Sequence, residues 1–213
     1  MSRAPQAVPE AAAQLVPTGN TYDKYSSKNP VVRRMMDGFE LSLAELFTLA
    51  APQSVLDVGC GEGVLTEQWA AEHEQARIVG VDLADPKLEG HWRARKRPNL
   101  EFLVGRAQQL PFAAAEFDLV AAIEALEHIP EPEIVLGEMT RVARRHLLVS
   151  VPREPLWRGL NIARGGYLRD LGNTPGHVNH WSKRGFINLL SHFGEVAVVR
   201  SPLPWTMLLV RVG

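Results

Sequence analysis

The sequence of 213 residues has one cysteine, no long apolar run and a formal net charge of only −1, and each shortage excludes a class of protein. A lone cysteine, Cys60, cannot form a disulfide within the chain. No apolar run approaches the ~20 residues of a membrane span, and no charged flank and apolar core of a secretory signal are visible. The near-zero net charge does not favour nucleic acid as a partner. These shortages predict a cytoplasmic protein without a membrane span.

The apolar content is large enough for one well-packed domain. Hydrophobic residues make up 46% of the chain, and 213 residues leave little room for a second core. Residues 1–19 are rich in Ala, Pro and Gln, which predicts a mobile N-terminal tail. Residues 20–213 are then expected to form the functional domain.

The segment VLDVGCGEG, Val55–Gly63, is the most informative part of the sequence. An apolar run reaches Asp57 and is followed by three alternating glycines, Gly59, Gly61 and Gly63. This pattern predicts a buried strand, a tight turn that approaches a ligand, and a helix from about Val64 through Trp69. Together they are typical of the nucleotide-binding corner of a doubly wound sheet.

The type of nucleotide follows from what surrounds the glycines. A dinucleotide site would need glycine where Val64 stands, and a P-loop would need a lysine after the turn. Glu62 places a negative charge where a pyrophosphate would bind, which instead suits a ligand with an ammonium and a sulfonium group. Cys60 lies inside the turn, where a small filler is a simpler interpretation than a nucleophile.

The segments after the turn keep the same order and spacing. Arg77–Asp82 is a second apolar strand, and its last residue, Asp82, lies about 20 residues after the turn, where such folds place the acid that binds ribose. Leu100–Val104 predicts a third strand. Two further segments follow it: GRAQQLPF at Gly105–Phe112 and EFDLV at Glu116–Val120.

These four motifs, within the span Tyr22–Phe193, resemble the class I S-adenosylmethionine-dependent methyltransferases, in particular the small-molecule and quinone-biosynthesis (methyltransferase type 11-like) group. The resemblance implies an α/β fold: a doubly wound, seven-stranded, mainly parallel sheet with an antiparallel last strand. It implies S-adenosyl-L-methionine as methyl donor and a small, fairly apolar acceptor methylated at oxygen. It also implies a set of cofactor-binding residues: Asp57, Gly59, Gly61, Gly63, Asp82, Leu83, Arg106, Ala107, Glu124 and Tyr22.

One position departs from the family. Arg106 stands where relatives carry an aspartate that accepts a hydrogen bond from the adenine amino group, and a guanidinium has donors only. Backbone groups near Arg106 and Ala107, stacking of the guanidinium, or another residue must then bind adenine. Tyr22, Asp23 and Tyr25 precede the first helix, where the family often folds a lid over the cofactor.

The segment EALEHIP, Glu124–Pro130, follows the predicted fourth strand and contains the candidate catalytic residue. His128 is predicted to be the general base, because imidazole titrates near neutral pH and accepts a phenolic proton; a purely structural histidine is the alternative. The E-x-x-E-H pattern also resembles the metal-binding pattern of quinone O-methyltransferases and small-RNA 3′-end methyltransferases, with His177 as a further ligand. Whether Glu124, Glu127, His128 and His177 bind a divalent metal stays open, since relatives without metal share the pattern.

Apolar periodicity predicts the remaining elements. Three helices are predicted: one begins near Pro30, one spans Pro132–Arg144, and one is capped by Ser182 and ends near Phe193. Strands are predicted at 118–123 and 146–151, and strands at Glu195–Arg200 and Trp205–Val212 close the sheet. Residues 153–181 are rich in aromatic and basic residues, which indicates an elaborated connection over the active site. Trp157, Tyr167 and Trp181 are candidates for the wall of an acceptor pocket.

Two other functions remain open on the sequence. The basic clusters at 91–97 and 141–146 would suit an RNA or protein methyltransferase, although charge runs are usually solvated faces. A non-catalytic cofactor-binding module is the second alternative, which Arg106 favours. The sequence specifies neither the acceptor nor the oligomeric state.

Overall fold

The computed structural model describes residues 29–163 and 165–213, and its centre is a seven-stranded sheet of order β3-β2-β1-β4-β5-β7-β6. The strands are β1 Ser54–Val58, β2 Arg77–Asp82, β3 Leu100–Val104, β4 Phe117–Ile123, β5 Ala143–Pro152, β6 Glu195–Arg200 and β7 Trp205–Arg211. Strand β7 is antiparallel to both β5 and β6, and the other pairs are parallel. The predicted seven-stranded, mainly parallel sheet is confirmed. Its parallel strands end together at one side, called here the carboxyl edge.

Six α-helices surround the sheet within the described residues. They are α1 Pro30–Ala50, α2 Val64–Glu72, α3 Pro86–Ala94, α4 Pro132–Val142, α5 Leu156–Ala163 and α6 Lys183–Leu190. Two short 3-10 helices, Leu126–His128 and Leu168–Asp170, lie in the connections. None of the helices in this part of the chain has the length and apolarity that crossing a membrane requires.

The core forms on both faces of the sheet because successive strand residues point to opposite sides. Val55 belongs to a buried cluster with Phe47 of α1 and Trp69 of α2. Its neighbour Leu56 belongs to a second cluster on the other face, which includes residues of α4 and α6. The doubly wound architecture therefore follows from the alternation within each buried strand.

Several elements differ from the prediction, most of them by one to three residues at an end. Strand β5 begins at Ala143 rather than at residue 146, because Ala143 pairs with Phe117 ahead of a bulge in β4. Helix α6 ends at Leu190 rather than near Phe193. Helix α3 was not predicted, although Asp85 caps it by accepting from the Lys87 amide. The predicted tail at 1–19 and the predicted lid residues Tyr22, Asp23 and Tyr25 lie outside the described residues.

Candidate active site

The glycine turn after β1 has three residues in the left-handed region that glycine adopts without strain. Gly59, Gly61 and Gly63 have φ values of 76°, 55° and 75°. A Cβ on Gly63 would lie 2.5 Å from the Phe102 ring, so close packing requires glycine there. A Cβ on Gly61 would meet no described atom within 4 Å. The outer side of Gly61 is therefore open to a ligand, which fits a turn that cradles a cofactor.

Two carboxylates lie beside this turn, Asp82 half-buried and Asp57 buried. The Asp82 carboxylate accepts the backbone N–H groups of Gly61 and Leu83, both at 2.7 Å, and burial raises its pKa against these two hydrogen bonds. Asp57, 3% exposed, accepts the Thr66 hydroxyl at 2.7 Å. Burial raises the pKa of Asp57 to about 7. Asp82 thus shapes the turn, and its predicted contact with the ribose stays a prediction.

Helix α3 holds the turn from the other side. The Trp92 indole donates to the Gly61 carbonyl at 2.8 Å, and Arg95 Nε donates to the Glu62 carbonyl at 2.9 Å. Arg95 also pairs with Glu67 at 3.4 Å. Sequence reasoning missed this contact, since it treated residues 91–97 only as a basic cluster. Trp92 and Arg95 are only three residues apart in the sequence, but helix α3 was not predicted, so nothing placed them beside the turn.

Arginines of the second basic cluster, at 141–146, also form ion pairs and hydrogen bonds within the protein. Arg141 pairs with Glu138 at 2.7 Å and donates to the Phe112 carbonyl at 2.8 Å. Arg144 pairs with Asp118 at 3.0 Å. Arg141 and Arg144 are thus paired within the protein, and the interpretation of the two clusters as solvated faces rather than nucleic-acid contacts stays a prediction.

The part of the site that is predicted to bind adenine follows β3. Arg106 is exposed there, and its carbonyl accepts the Gln109 amide at 3.0 Å, which closes a short turn around Ala107. The amide of Gly105 donates to the Asp82 carbonyl at 2.8 Å, so this turn is joined to the end of β2. Leu83 is 36% exposed beside it. The structure brings these predicted residues to one region, and their contact with adenine stays a prediction.

Glu124 ends the fourth strand in an unusual conformation. Its φ is +58°, which costs a residue with a side chain of order 1 kcal/mol. Its carboxylate accepts the Trp205 indole N–H at 2.6 Å and the Ser150 hydroxyl at 3.3 Å. These two donors orient the carboxylate toward β5 and β7. Trp205 and Ser150 were not identified from the sequence.

The next segment brings two histidines and a glutamate together. One ligand atom each from Glu127, His128 and His177 lies within 4.8 Å of the others. The His128 and His177 rings meet edge to face at 4.8 Å, and the His128 Nδ1 lies 3.0 Å from the Gly176 carbonyl. Glu124 is not a member of this group. The structure therefore gathers three of the four residues that were considered for a metal site.

Two of the three residues proposed as pocket wall, Trp157 and Trp181, pack in different places. Trp157 stacks on His177 at 6.1 Å and donates to the Thr174 hydroxyl at 2.9 Å. Trp181 packs instead on Phe186 at 5.5 Å, with the core cluster on the opposite face of the sheet. The predicted connection at 153–181 does reach the carboxyl edge through the Val178 amide, which donates to the Glu127 carbonyl at 2.9 Å.

Comparison with known proteins finds methyltransferases among the proteins similar to this chain. A family model described as "Methyltransferase domain" matches residues 56–148. The chain is 33% identical over 106 residues to O-methyltransferase rstn1 of Aspergillus nomiae, covering 48% of this chain and 47% of that protein. It is 28% identical over 167 residues to the ubiquinone biosynthesis O-methyltransferase of Methylococcus capsulatus, covering 70% and 69%. Several other curated relatives are matched over only 33% to 38% of their length.

A solved structure supports the fold. Magnesium protoporphyrin IX methyltransferase from Synechocystis, crystallised with S-adenosylhomocysteine (SAH), superposes with a TM-score of 0.62 at 17% identity, covering 88% of this chain and 89% of that one. At this identity the likeness concerns the fold alone. The family match over residues 56–148 and the curated relatives support an S-adenosylmethionine-dependent methyltransferase, and the solved structure supports its fold.

Proposed function

We propose that the protein transfers a methyl group from S-adenosylmethionine to an oxygen atom of a small, fairly apolar acceptor. The observation that carries the proposal is the position of His128. It follows β4, beside His177 and Glu127, at the same carboxyl edge as the glycine turn after β1. A cofactor on the turn and an acceptor at His128 would then meet at this edge.

The hydrogen bond of His128 defines which nitrogen acts. The Gly176 carbonyl only accepts, so Nδ1 carries the proton in a neutral imidazole and Nε2 is the basic nitrogen. Nε2 accepts the acceptor's hydroxyl proton as the oxygen–carbon bond forms and the carbon–sulfur bond breaks. S-adenosylmethionine supplies the activated methyl group.

In this proposal the turn binds the cofactor. Asp82 accepts the ribose hydroxyls, Glu62 favours the cofactor's positive charges, and the outer side of Gly61 gives the backbone access to the ligand. Glu124 binds the cofactor through its carboxylate, which Trp205 and Ser150 orient. The names of relatives, an O-methyltransferase and a ubiquinone biosynthesis O-methyltransferase, support oxygen as the methylated atom.

The decisive experiment is a radiolabelled methyl-transfer assay over a panel of catechols, hydroxyquinones, carboxylic acids, proteins and RNA. We expect a phenolic or enolic acceptor to be labelled. His128→Ala should lower kcat by about 10²- to 10⁴-fold without weakening SAH binding. His192→Ala is the matched control, since this exposed histidine follows α6 at the opposite edge of the sheet.

Two outcomes would contradict the proposal. Labelling of RNA or protein alone would place the chain among macromolecular methyltransferases, and RNA binding would then weaken with salt. SAH binding without turnover on any acceptor would favour the non-catalytic module.

A further inference from the structure

Helix α5, in the connection over the carboxyl edge, buries a polar side chain and exposes two apolar ones. Its polar residue Asn161 is only 3% exposed, and its side chain donates to the Gly172 carbonyl at 2.7 Å. Leu160 and Ile162 of the same helix are 39% and 45% exposed. A surface helix normally buries its apolar residues and exposes its polar ones. Leu160 and Ile162 are two positions apart, so they lie on the two flanks of the exposed side of α5, and both suit an apolar environment better than water.

The 3-10 turn after α5 extends this apolar surface. Leu168 and Leu171 are 58% and 69% exposed. The turn is fixed to α5, because Arg158 Nε donates to the Leu171 carbonyl at 3.1 Å. The exposed apolar side chains thus belong to one small packed unit, which we call the apolar platform: Leu160, Ile162, Leu168 and Leu171.

The segment that carries the platform is basic. Residues 153–184 contain six Arg or Lys and two Asp or Glu, so this segment is net +4 in a chain of net −1 and the remainder is net −5. Arg169, Lys183 and Arg184 are exposed. The start of α6 lies next to the start of α5, because the Glu154 amide donates to the Trp181 carbonyl at 2.9 Å. Positive charge and exposed leucines therefore belong to the same connection and the helix that follows it.

We propose that the platform docks on an anionic lipid bilayer, with its leucines in the interfacial region and its basic residues at the headgroups. Apolar side chains beside Lys and Arg are the combination that binds such surfaces. A second copy of the chain fits less well, since two net +4 segments would repel each other. Docking would turn the carboxyl edge, with His128 and the glycine turn, toward molecules dissolved in the bilayer. The inference goes beyond methyl transfer and does not depend on it.

The test is co-sedimentation of the full chain with vesicles of phosphatidylcholine alone and with equimolar phosphatidylglycerol. We expect at least ~tenfold tighter binding to the anionic vesicles, weakened by salt. Leu168→Glu/Leu171→Glu should reduce that binding by ~tenfold or more. Leu49→Glu is the matched control: Leu49 is 53% exposed in the last turn of α1, just before β1 and thus at the opposite edge. SAH affinity and the unfolding midpoint show that both variants remain folded.

Three results would overturn the proposal. They are absence of vesicle binding by the parent chain, equal binding by the platform variant and the parent, and equal loss in Leu49→Glu. A concentration-dependent dimer in ultracentrifugation that the platform variant abolishes, without vesicle binding, would assign the platform to a second copy. Because vesicle binding is measured without any acceptor, its failure is distinguishable from a failure of methyl transfer.

Discussion

Trp92 donates its indole N–H to the carbonyl oxygen of Gly61 at 2.8 Å, although the two residues are 31 positions apart. The same indole stacks on Phe102 with ring centroids 5.4 Å apart. Asp82 binds the amide of Gly61 from the other direction. The central glycine of the turn is therefore held through both its N–H and its C=O before any ligand arrives, which lowers the ordering cost of binding.

Trp92→Phe should weaken SAH binding by about 3- to 10-fold, the equivalent of one hydrogen bond. Phenylalanine keeps an aromatic ring against Phe102 and removes only the donor. Calorimetric titration measures the change. Trp69→Phe is the matched control, since Trp69 packs on Phe47 in the core and should affect stability more than affinity. Equal affinity in Trp92→Phe and the parent chain would show that the indole bond does not order the turn.

The glycines of the turn should respond differently to substitution. Gly61→Ala adds a methyl group that meets no described atom within 4 Å, so its cost in stability is the left-handed backbone alone, ~1 kcal/mol. That methyl group would nevertheless occupy the space predicted for the cofactor. We therefore expect a large loss of SAH affinity with a modest change in the unfolding midpoint.

Gly63→Ala should give the opposite balance, because its Cβ would lie 2.5 Å from the Phe102 ring. Stability should fall by ~2 kcal/mol or more, since both backbone strain and overpacking contribute. Thermal unfolding and SAH titration of the two variants together test the assignment. Retained affinity in Gly61→Ala would exclude the outer side of Gly61 as the ligand-binding surface.

The strands and the local motifs were predictable because each is encoded by residues that are neighbours in the sequence. Strands β1, β2, β3 and β6 have the predicted bounds, since each is an apolar run between residues that interrupt it. Helix α5 was not predicted, because residues 153–181 were interpreted only as a connection rich in aromatic and basic residues. The contacts that orient the site join distant segments, such as Trp205 and Glu124 at a separation of 81 positions. No local pattern specifies such a pairing.

The pKa of Asp57 makes a prediction about pH. Burial raises it from 3.8 to about 7 in the folded chain. Between these values the folded state keeps a proton that the unfolded state has lost, so the free energy of unfolding falls as pH rises. At ~1.4 kcal/mol per pH unit, the loss is of order 4 kcal/mol between pH 4 and pH 7.

Asp57→Asn should remove most of this dependence, because the amide stays neutral and its oxygen still accepts the Thr66 hydroxyl. Urea unfolding at pH 5 and pH 8 measures it in both proteins. We expect the parent to lose stability over this interval and the variant to lose much less. Parallel pH profiles would mean that Asp57 is ionised in the folded state throughout, with water or another group compensating its charge.

The cluster of Glu127, His128 and His177 leads to a prediction about metal. Two imidazoles and one carboxylate within 4.8 Å of one another are a donor set that suits a transition metal better than magnesium. Trp205 and Ser150 orient Glu124 elsewhere, so an ion would have three protein ligands and open positions for acceptor oxygens. If an ion binds, chelation should abolish methyl transfer with little change in SAH affinity, and manganese should restore the rate.

His177→Ala should reproduce the effect of the chelator, because the loss of one of three ligands weakens the site without touching the glycine turn. His180→Ala is the matched control: this exposed histidine lies three residues away and contacts Asn173 at 2.7 Å. Manganese binding followed by electron paramagnetic resonance gives a readout that does not depend on the acceptor. Full activity in excess chelator, together with an inactive His128→Ala variant, would identify His128 as a metal-free general base. In that case His177 would serve to pack Trp157 against the site, and His177→Ala would alter KM for the acceptor more than kcat.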